Sequence, residues 1–177
     1  MTRALAIVNA ISLGARRAAD VRAALSTVPG LAVVVTDSLS AARASVFAHM
    51  SWSLETVVFV GGDGSFVLGW SLVREAWRGH ALLPRVGLLP LGSGNAIARA
   101  LGESLDDAAR QPARVVERLL RVGATRVRLP MLEVLGMQAP FAGFGIDAAI
   151  IEANQQVARA VDRLRVGAVV GPRARYA

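Results

Sequence analysis

Short blocks of apolar residues alternate with stretches in which apolar positions recur every three or four residues, and this alternation runs through the first two thirds of the chain. Arg3 to Val8 reads as a short apolar strand ending at Asn9, with a turn over Asn9-Ala10-Ile11-Ser12-Leu13-Gly14. Ala15 to Ser26 sets Ala18, Val21 and Leu25 at helical spacing, with Arg16, Arg17, Asp20 and Arg22 turned mostly outward. Pro29-Gly30 breaks that helix. Leu31 to Val35 is a second strand, and Thr36-Asp37-Ser38 offers side chains able to cap a helix over Leu39 to Met50. Leu54 to Val60 is a third strand. Phe66 to Trp77 is a helix carrying Leu68, Leu72, Val73 and Ala76 on one side. Pro84 to Leu89 is the fourth strand, followed by a helix over Ala96 to Leu101. Strands this continuously apolar, each followed by a helix, predict a parallel sheet buried on both faces, so residues 1–122 form a three-layer α/β domain.

The pattern changes after Gly102. Leu105 to Val122 reads as one helix, and Thr125-Arg126-Val127-Arg128-Leu129 alternates apolar and charged residues as a half-exposed antiparallel strand does. Leu132 to Leu135 continues it, Gly136-Met137-Gln138 turns it, and Ala139 to Ile146 returns. Ile150 to Leu164 has the pattern of a helix. Residues 123–177 are therefore expected to be a partial antiparallel β lobe with a helix. Two or three strands make a poor core of their own, and their open edges favour a homodimer.

Composition narrows the function more than the fold. A chain of 177 residues with 54% hydrophobic positions has the size of one domain and ample core. It has no cysteine, no apolar run of about 18 residues, and too short an apolar start for a signal peptide, so a cytoplasmic protein is expected. The net charge of +7 comes from arginine alone, since no lysine is present. Anionic partners such as nucleotide phosphates or a lipid surface would account for it, and so would a GC-rich coding bias. The missing lysine excludes a Walker-type phosphate loop. Five Phe, three Trp and one Tyr form no stacking ladder, and no nucleic-acid module is visible.

The candidate chemistry lies in two turns. Val57-Val58-Phe59-Val60 runs into Gly61-Gly62-Asp63-Gly64-Ser65, and the fourth strand runs into Gly92-Ser93-Gly94-Asn95. Glycines let successive backbone N–H groups converge on a phosphate, and the helix expected from about Ser65 adds its partial positive charge. A carboxylate repels phosphate. Asp63 therefore makes sense if it holds Mg²⁺ against the phosphates or takes a proton from an attacking hydroxyl; the other reading is a helix-capping Asp. In the second turn, the Asn95 amide can cap the next helix or bond a ribose or base. Adjacent parallel strands would bring both turns to one sheet edge and define a ligand crevice.

Val60-Gly61-Gly62-Asp63-Gly64-Ser65 taken with Leu89-Pro90-Leu91-Gly92-Ser93-Gly94-Asn95-Ala96-Ile97-Ala98-Arg99 resembles the catalytic domain of the diacylglycerol kinase and sphingosine kinase family, which includes bacterial lipid kinases. That family pairs a Gly-Gly-Asp-Gly-Thr turn with a Pro-Leu-Gly-Thr-Gly-Asn turn. The NAD kinases share the first and lack the second in this form. Asn9 and Gly14 resemble the family's opening Asn-Pro-x-x-Gly turn, and Thr36 its nucleotide-contacting Thr.

The resemblance implies an NAD kinase/diacylglycerol kinase-like nucleotide-binding fold and an ATP-dependent lipid kinase. The γ-phosphoryl of Mg-ATP would pass to a lipid hydroxyl of diacylglycerol or sphingoid type. It implies ATP and Mg²⁺ as cofactors, a lipid alcohol as substrate and peripheral contact with a membrane. By position, Asn9, Thr36, Gly61, Gly62, Asp63, Gly64, Ser65, Phe66, Val67, Gly92, Ser93, Gly94 and Asn95 would bind the nucleotide. Asp63 would be the catalytic base or metal-side carboxylate, and the metal ligands stay unassigned. Phe144-Gly145-Ile146-Asp147-Ala148 resembles a Gly-x-Asp-Ala segment that places Asp147 near the lipid head group, although a strand-end Asp capping the next helix reads equally well. Ala10 departs from the family's Pro, and Ser65 and Ser93 keep the hydroxyl of its Thr. Ala96 stands where many diacylglycerol kinases have Asp, which leans the substrate toward a sphingoid or ceramide-like alcohol. Family members continue into a full antiparallel lobe with further carboxylates. An NAD kinase-like enzyme and an inactive nucleotide- or lipid-binding remnant are the rival readings.

Overall fold

The computed structural model describes residues 3–143 except 52 and 135, together with 152, 153 and 156. Four strands, β1 (Ala4–Asn9), β2 (Leu31–Thr36), β3 (Thr56–Gly61) and β4 (Arg85–Pro90), form one parallel sheet in the order β2-β1-β3-β4. Between them run α1 (Ala10–Leu13), α2 (Ala15–Leu25), α3 (Leu39–Ala48) and α4 (Asp63–Ala76); after β4 come α5 (Ala96–Ala100), α6 (Leu105–Arg110) and α7 (Pro112–Leu120). The three-layer α/β expectation holds. The central strands β1 and β3 are buried nearly throughout, whereas β2 and most of β4, at the two edges, are half-buried.

The side-chain period of two sorts the core into its layers. Leu5, Ile7, Val57 and Phe59 point to one face, against Val46 of α3 and Leu72, Val73 and Ala76 of α4. Ala6, Val8, Val58, Val60 and Leu89 point to the other, against Ala18, Val21 and Leu25 of α2 and Val115 and Val116 of α7. Each large aliphatic side chain buried this way contributes roughly 1.5–3 kcal/mol. A slip of one residue would exchange the two faces, so the register is strongly specified.

Gly69 sets how closely α4 approaches the sheet. A Cβ built there would run into the ring of Phe59. Gly69→Ala is therefore expected to lower stability by about 1–3 kcal/mol, although alanine is the better helix former. Urea denaturation of the two proteins measures it. On the same face, the Arg43 guanidinium of α3 grips Glu75 of α4 and lies 4.8 Å from the Phe47 ring centroid. Its hydrogen bond holds the Glu75 carboxyl below its ordinary range, but the pair is exposed and contributes little.

Two expectations after Gly102 are corrected. The single helix over Leu105 to Val122 is two helices broken at Gln111, because Pro112 cannot donate to a preceding turn and instead opens α7 at its first position. Thr125 to Leu129 forms no strand; these residues are largely exposed and have no partner strand among those described. The hairpin that does form is short, β5 (Leu132–Val134) against β6 (Met137–Ala139), antiparallel. Gly136, at φ 76°, turns it, so the return strand starts at Met137, earlier than expected. Trp70 Nε1 of α4 donates to Gln138 Oε1 at 3.0 Å and ties the hairpin to the α/β layer. No helix among the described residues is long and apolar enough to cross a membrane. Asp147 and most of the helix expected over Ile150 to Leu164 lie outside the described residues.

Candidate nucleotide-phosphate site

In the order β2-β1-β3-β4 the chain leaves β1 toward one edge and β3 toward the other. The two connections part at the carboxyl ends of β1 and β3, where open sheets hold ligands. Asn9 ends β1 and Gly61 ends β3. Both glycine turns lie here because β4 pairs with β3 and sets Pro90 beside Gly61.

The first turn is tighter than the sequence suggested. Gly62 is already the cap of α4, so the helix begins at Asp63, ahead of the expected Phe66. Asp63 therefore lies in the first turn, where the helix dipole favours a carboxylate. The Asp63 and Gly64 amides open the helix and have no acceptor within it.

The second turn is stacked on the first. Leu91 N and Gly92 N both donate to Gly61 O, at 2.9 and 3.1 Å. A Cβ at Gly92 would collide with Gly62 Cα and stand 2.8 Å from Gly62 N. Asn95 is buried and left-handed at φ 55°; its Oδ1 accepts from Gly92 N at 3.1 Å and its Nδ2 donates to Gly92 O at 2.7 Å. The amide offered by the sequence to a ribose or to the next helix is thus spent on its own turn. Asn95→Gly keeps the backbone and loses those bonds; Asn95→Ala loses both. The alanine variant is expected to be less stable than the glycine variant by about 1–2 kcal/mol, measured by thermal or urea unfolding.

Asp63 joins the turns from the other side. Its Oδ2 accepts from Ala96 N and its Oδ1 from Ile97 N, each at 2.9 Å, so it caps α5 across the crevice. Each oxygen keeps a second lone pair for a ligand. Arg99, expected only as a helix-surface residue, donates from Nε to Gly94 O at 3.3 Å and braces the same turn. Asn9 Oδ1 accepts from Ile11 N and Ser12 N, while Asn9 Nδ2 donates to Ser65 Oγ at 2.9 Å.

A cavity of about 590 Å³ lies over this floor, lined by Asn9, Ile11, Ser12, Gly62 to Ser65, Leu68 and Gly92 to Gly94. A smaller apolar one of about 160 Å³ opens beside it and adds Thr36 to Asn9 and Ser65. A third, of about 490 Å³, shares Ser93 and is flanked by Arg17, Arg99 and Asp106. The structure brings together Asn9, Thr36, Gly62, Asp63, Gly64, Ser65, Gly92, Ser93, Gly94 and Asn95 around these adjoining spaces, with Gly61 beneath. Phe66 and Val67 line none of the three. Sequence reasoning missed Ile11, which is 73% exposed and borders all of them, together with Ser12 and Leu68. Asn9 is an N-cap residue type, and reading it so would have located the one-turn helix α1 that carries Ile11 and Ser12. No group of three or more His, Cys, Asp or Glu able to hold a metal occurs among the described residues.

The model of the diacylglycerol kinase catalytic domain family matches residues 3–129. Two solved structures from Bacillus anthracis str. Sterne are similar in fold. One, described as a candidate diacylglycerol kinase, is 18% identical with a TM-score of 0.50, over 66% of this chain and 42% of that one. The other, described as a diacylglycerol kinase, is 16% identical with a TM-score of 0.52, over 84% of this chain and 51% of that one. The chain thus spans about half or less of their length. A comparison with curated proteins gave no match.

Proposed function

The chain belongs to the diacylglycerol kinase catalytic domain family, and on that premise we propose that it binds Mg-ATP in the crevice and passes the γ-phosphoryl to a lipid hydroxyl. The observation that supports this most is the contact of the two glycine turns at the point where the sheet's connections part, with Gly62 against Gly92. Phosphoryl transfer asks a protein mainly for positioning and charge neutralisation. The first-turn amides of Asp63 and Gly64, the α4 dipole and the Ser65 hydroxyl would hold the phosphates from one side, with Ser93 and Gly94 on the other. Mg²⁺ is usually bound by one or two carboxylates plus substrate phosphates; among the described residues lining the central cavity the carboxylate is Asp63, and with Asp63 committed as the proton acceptor the phosphates would be the ion's main ligands. When bound, the ion neutralises charge on the phosphates. Asp63 would take the proton released as the lipid oxygen bonds to phosphorus and the bond to the ADP oxygen breaks. Thr36, in the apolar side cavity, would face the nucleoside end. Asp147 remains the candidate for the lipid head group, reached by peripheral contact with a membrane.

The experiment is transfer of label from γ-labelled ATP to diacylglycerol, sphingosine or ceramide in mixed micelles, and to NAD in solution. Labelling of a lipid with none of NAD is the expected result. Labelling of NAD alone would replace the reading with an NAD kinase-like one. ATP binding with no labelled product would reduce it to a nucleotide-binding module.

A further inference from the structure

Among the described residues that line the crevice, Ser65 is the hydroxyl whose hydrogen-bonding capacity is fixed by what surrounds it. Asn9 Oδ1 accepts from two backbone amides, Ile11 N at 3.1 Å and Ser12 N at 3.3 Å, which sets the orientation of the Asn9 side-chain amide. Its Nδ2 must then be the group that faces Ser65, at 2.9 Å, so the serine oxygen is the acceptor in that bond. The serine retains a single O–H to donate. A serine in a helix commonly gives it to a carbonyl one turn back, as Ser71 gives its own to Val67 O. Here those carbonyls are filled. Gly61 O already accepts from Leu91 N and Gly92 N, and Gly62 O from Ser65 N and Phe66 N. Among the described residues the Ser65 O–H has no acceptor, and Ser65 lines both the central and the apolar side cavity. Ser65 Oγ also sits where a side chain at position 61 would have to be.

We propose that Asn9 is a positioning residue, which does not bind the nucleotide itself but holds Ser65 Oγ as an acceptor so that its O–H is aimed at a ligand phosphate oxygen. A side chain with only an acceptor or only a donor at position 9 could not do both. The side-chain amide of Asn9 caps α1 with one end and polarises Ser65 with the other. An aspartate there would accept at both ends, draw the Ser65 O–H onto itself and add a negative charge beside the phosphates. The inference rests on a phosphate-bearing ligand in this crevice and not on the identity of the lipid.

The test is a double-mutant cycle on Mg-ATP affinity, by titration calorimetry, with adenosine as the control ligand and circular dichroism as the check on folding. A hydrogen bond to a charged acceptor is worth roughly tenfold or more in affinity. Ser65→Ala is expected to weaken ATP by about that factor, Asn9→Ala by a similar one, and the double variant no further, with adenosine affinity unchanged throughout. Asn9→Asp should bind ATP more weakly than Asn9→Ala, through the captured O–H and the added charge together, and the part due to the captured O–H should vanish when Ser65 is also replaced. Additive losses, equal losses for ATP and adenosine, or an Asn9→Asp variant that binds as well as Asn9→Ala would overturn the proposal. If the alanine variants do not fold, the same cycle run with the near-isosteric Asn9→Asp and Ser65→Cys decides it, coupled losses sustaining the proposal and additive losses overturning it. Coupled losses in a protein that phosphorylates no lipid would sustain this proposal and sink the kinase reading. A wild type that binds no ATP would sink both.

Discussion

Asp63→Asn is expected to lower the rate of lipid phosphorylation by about 10²–10⁴-fold, the range that a positioned proton acceptor contributes. The substitution keeps the shape of the side chain and removes its capacity to carry the proton away. It also disturbs the cap on α5, because an amide can accept from only one of Ala96 N and Ile97 N, and its NH₂ would face the other. Loss of one such bond to a charged carboxylate costs about 1.5–3 kcal/mol, so some fall in stability should accompany the fall in rate. The two are separable. Single-turnover kinetics at saturating ATP report the rate, and hydrogen exchange of the Ala96 and Ile97 amides reports the cap. Faster exchange with an unchanged rate would assign Asp63 to the scaffold and leave the proton acceptor to be sought elsewhere.

The second large effect concerns Gly92. Adding one methyl group at this position puts carbon against two backbone atoms, Gly62 Cα and Gly62 N, and against the side-chain oxygen Asn95 Oδ1. No rotamer change relieves it, because two of the three atoms belong to the facing turn. Gly92→Ala is expected to cost about 3 kcal/mol, at the upper end for overpacking, and to separate the turns enough to weaken ATP binding by tenfold or more. Gly64→Ala is the contrast. Nothing stands within 4 Å of a Cβ there, and a helical glycine is replaced by the best helix former, so stability should hold or rise. Urea denaturation and ATP titration of the pair would check both. Similar behaviour of the two variants would mean that the turns are not in contact.

These residues also show what the sequence could and could not reveal. Apolar blocks such as Val57 to Val60 are legible because burial on both faces leaves little choice of residue type, and turns such as Gly61-Gly62 because few residues fit them. The three layers and the meeting of the two turns followed from that. Pro112 was equally visible, but a strong helical period on either side of it outweighed its missing N–H, which is why one helix was expected where two exist. Thr125 to Leu129 had the alternation of a strand, yet alternation specifies only a face and cannot supply the neighbour that a strand must pair with. The site was legible as a set of residues and not as a set of bonds. That Asn95 turns back on Gly92, that Asp63 reaches Ala96 and Ile97, and that Asn9 holds Ser65 are contacts between segments, set by the register of β3 against β4 and of β1 against β3. Ile11 escaped notice because an exposed apolar residue has no pattern of its own.

The central claim is that the two turns form one phosphate site, and the most direct measurement is the affinity of the wild-type chain for Mg-ATP beside that for adenosine. The phosphates should supply most of the binding through backbone amides and the α4 dipole, so ATP is expected to bind at least a hundredfold more tightly, a difference of about 2.7 kcal/mol. Equal affinities, or no binding of either, would contradict the claim.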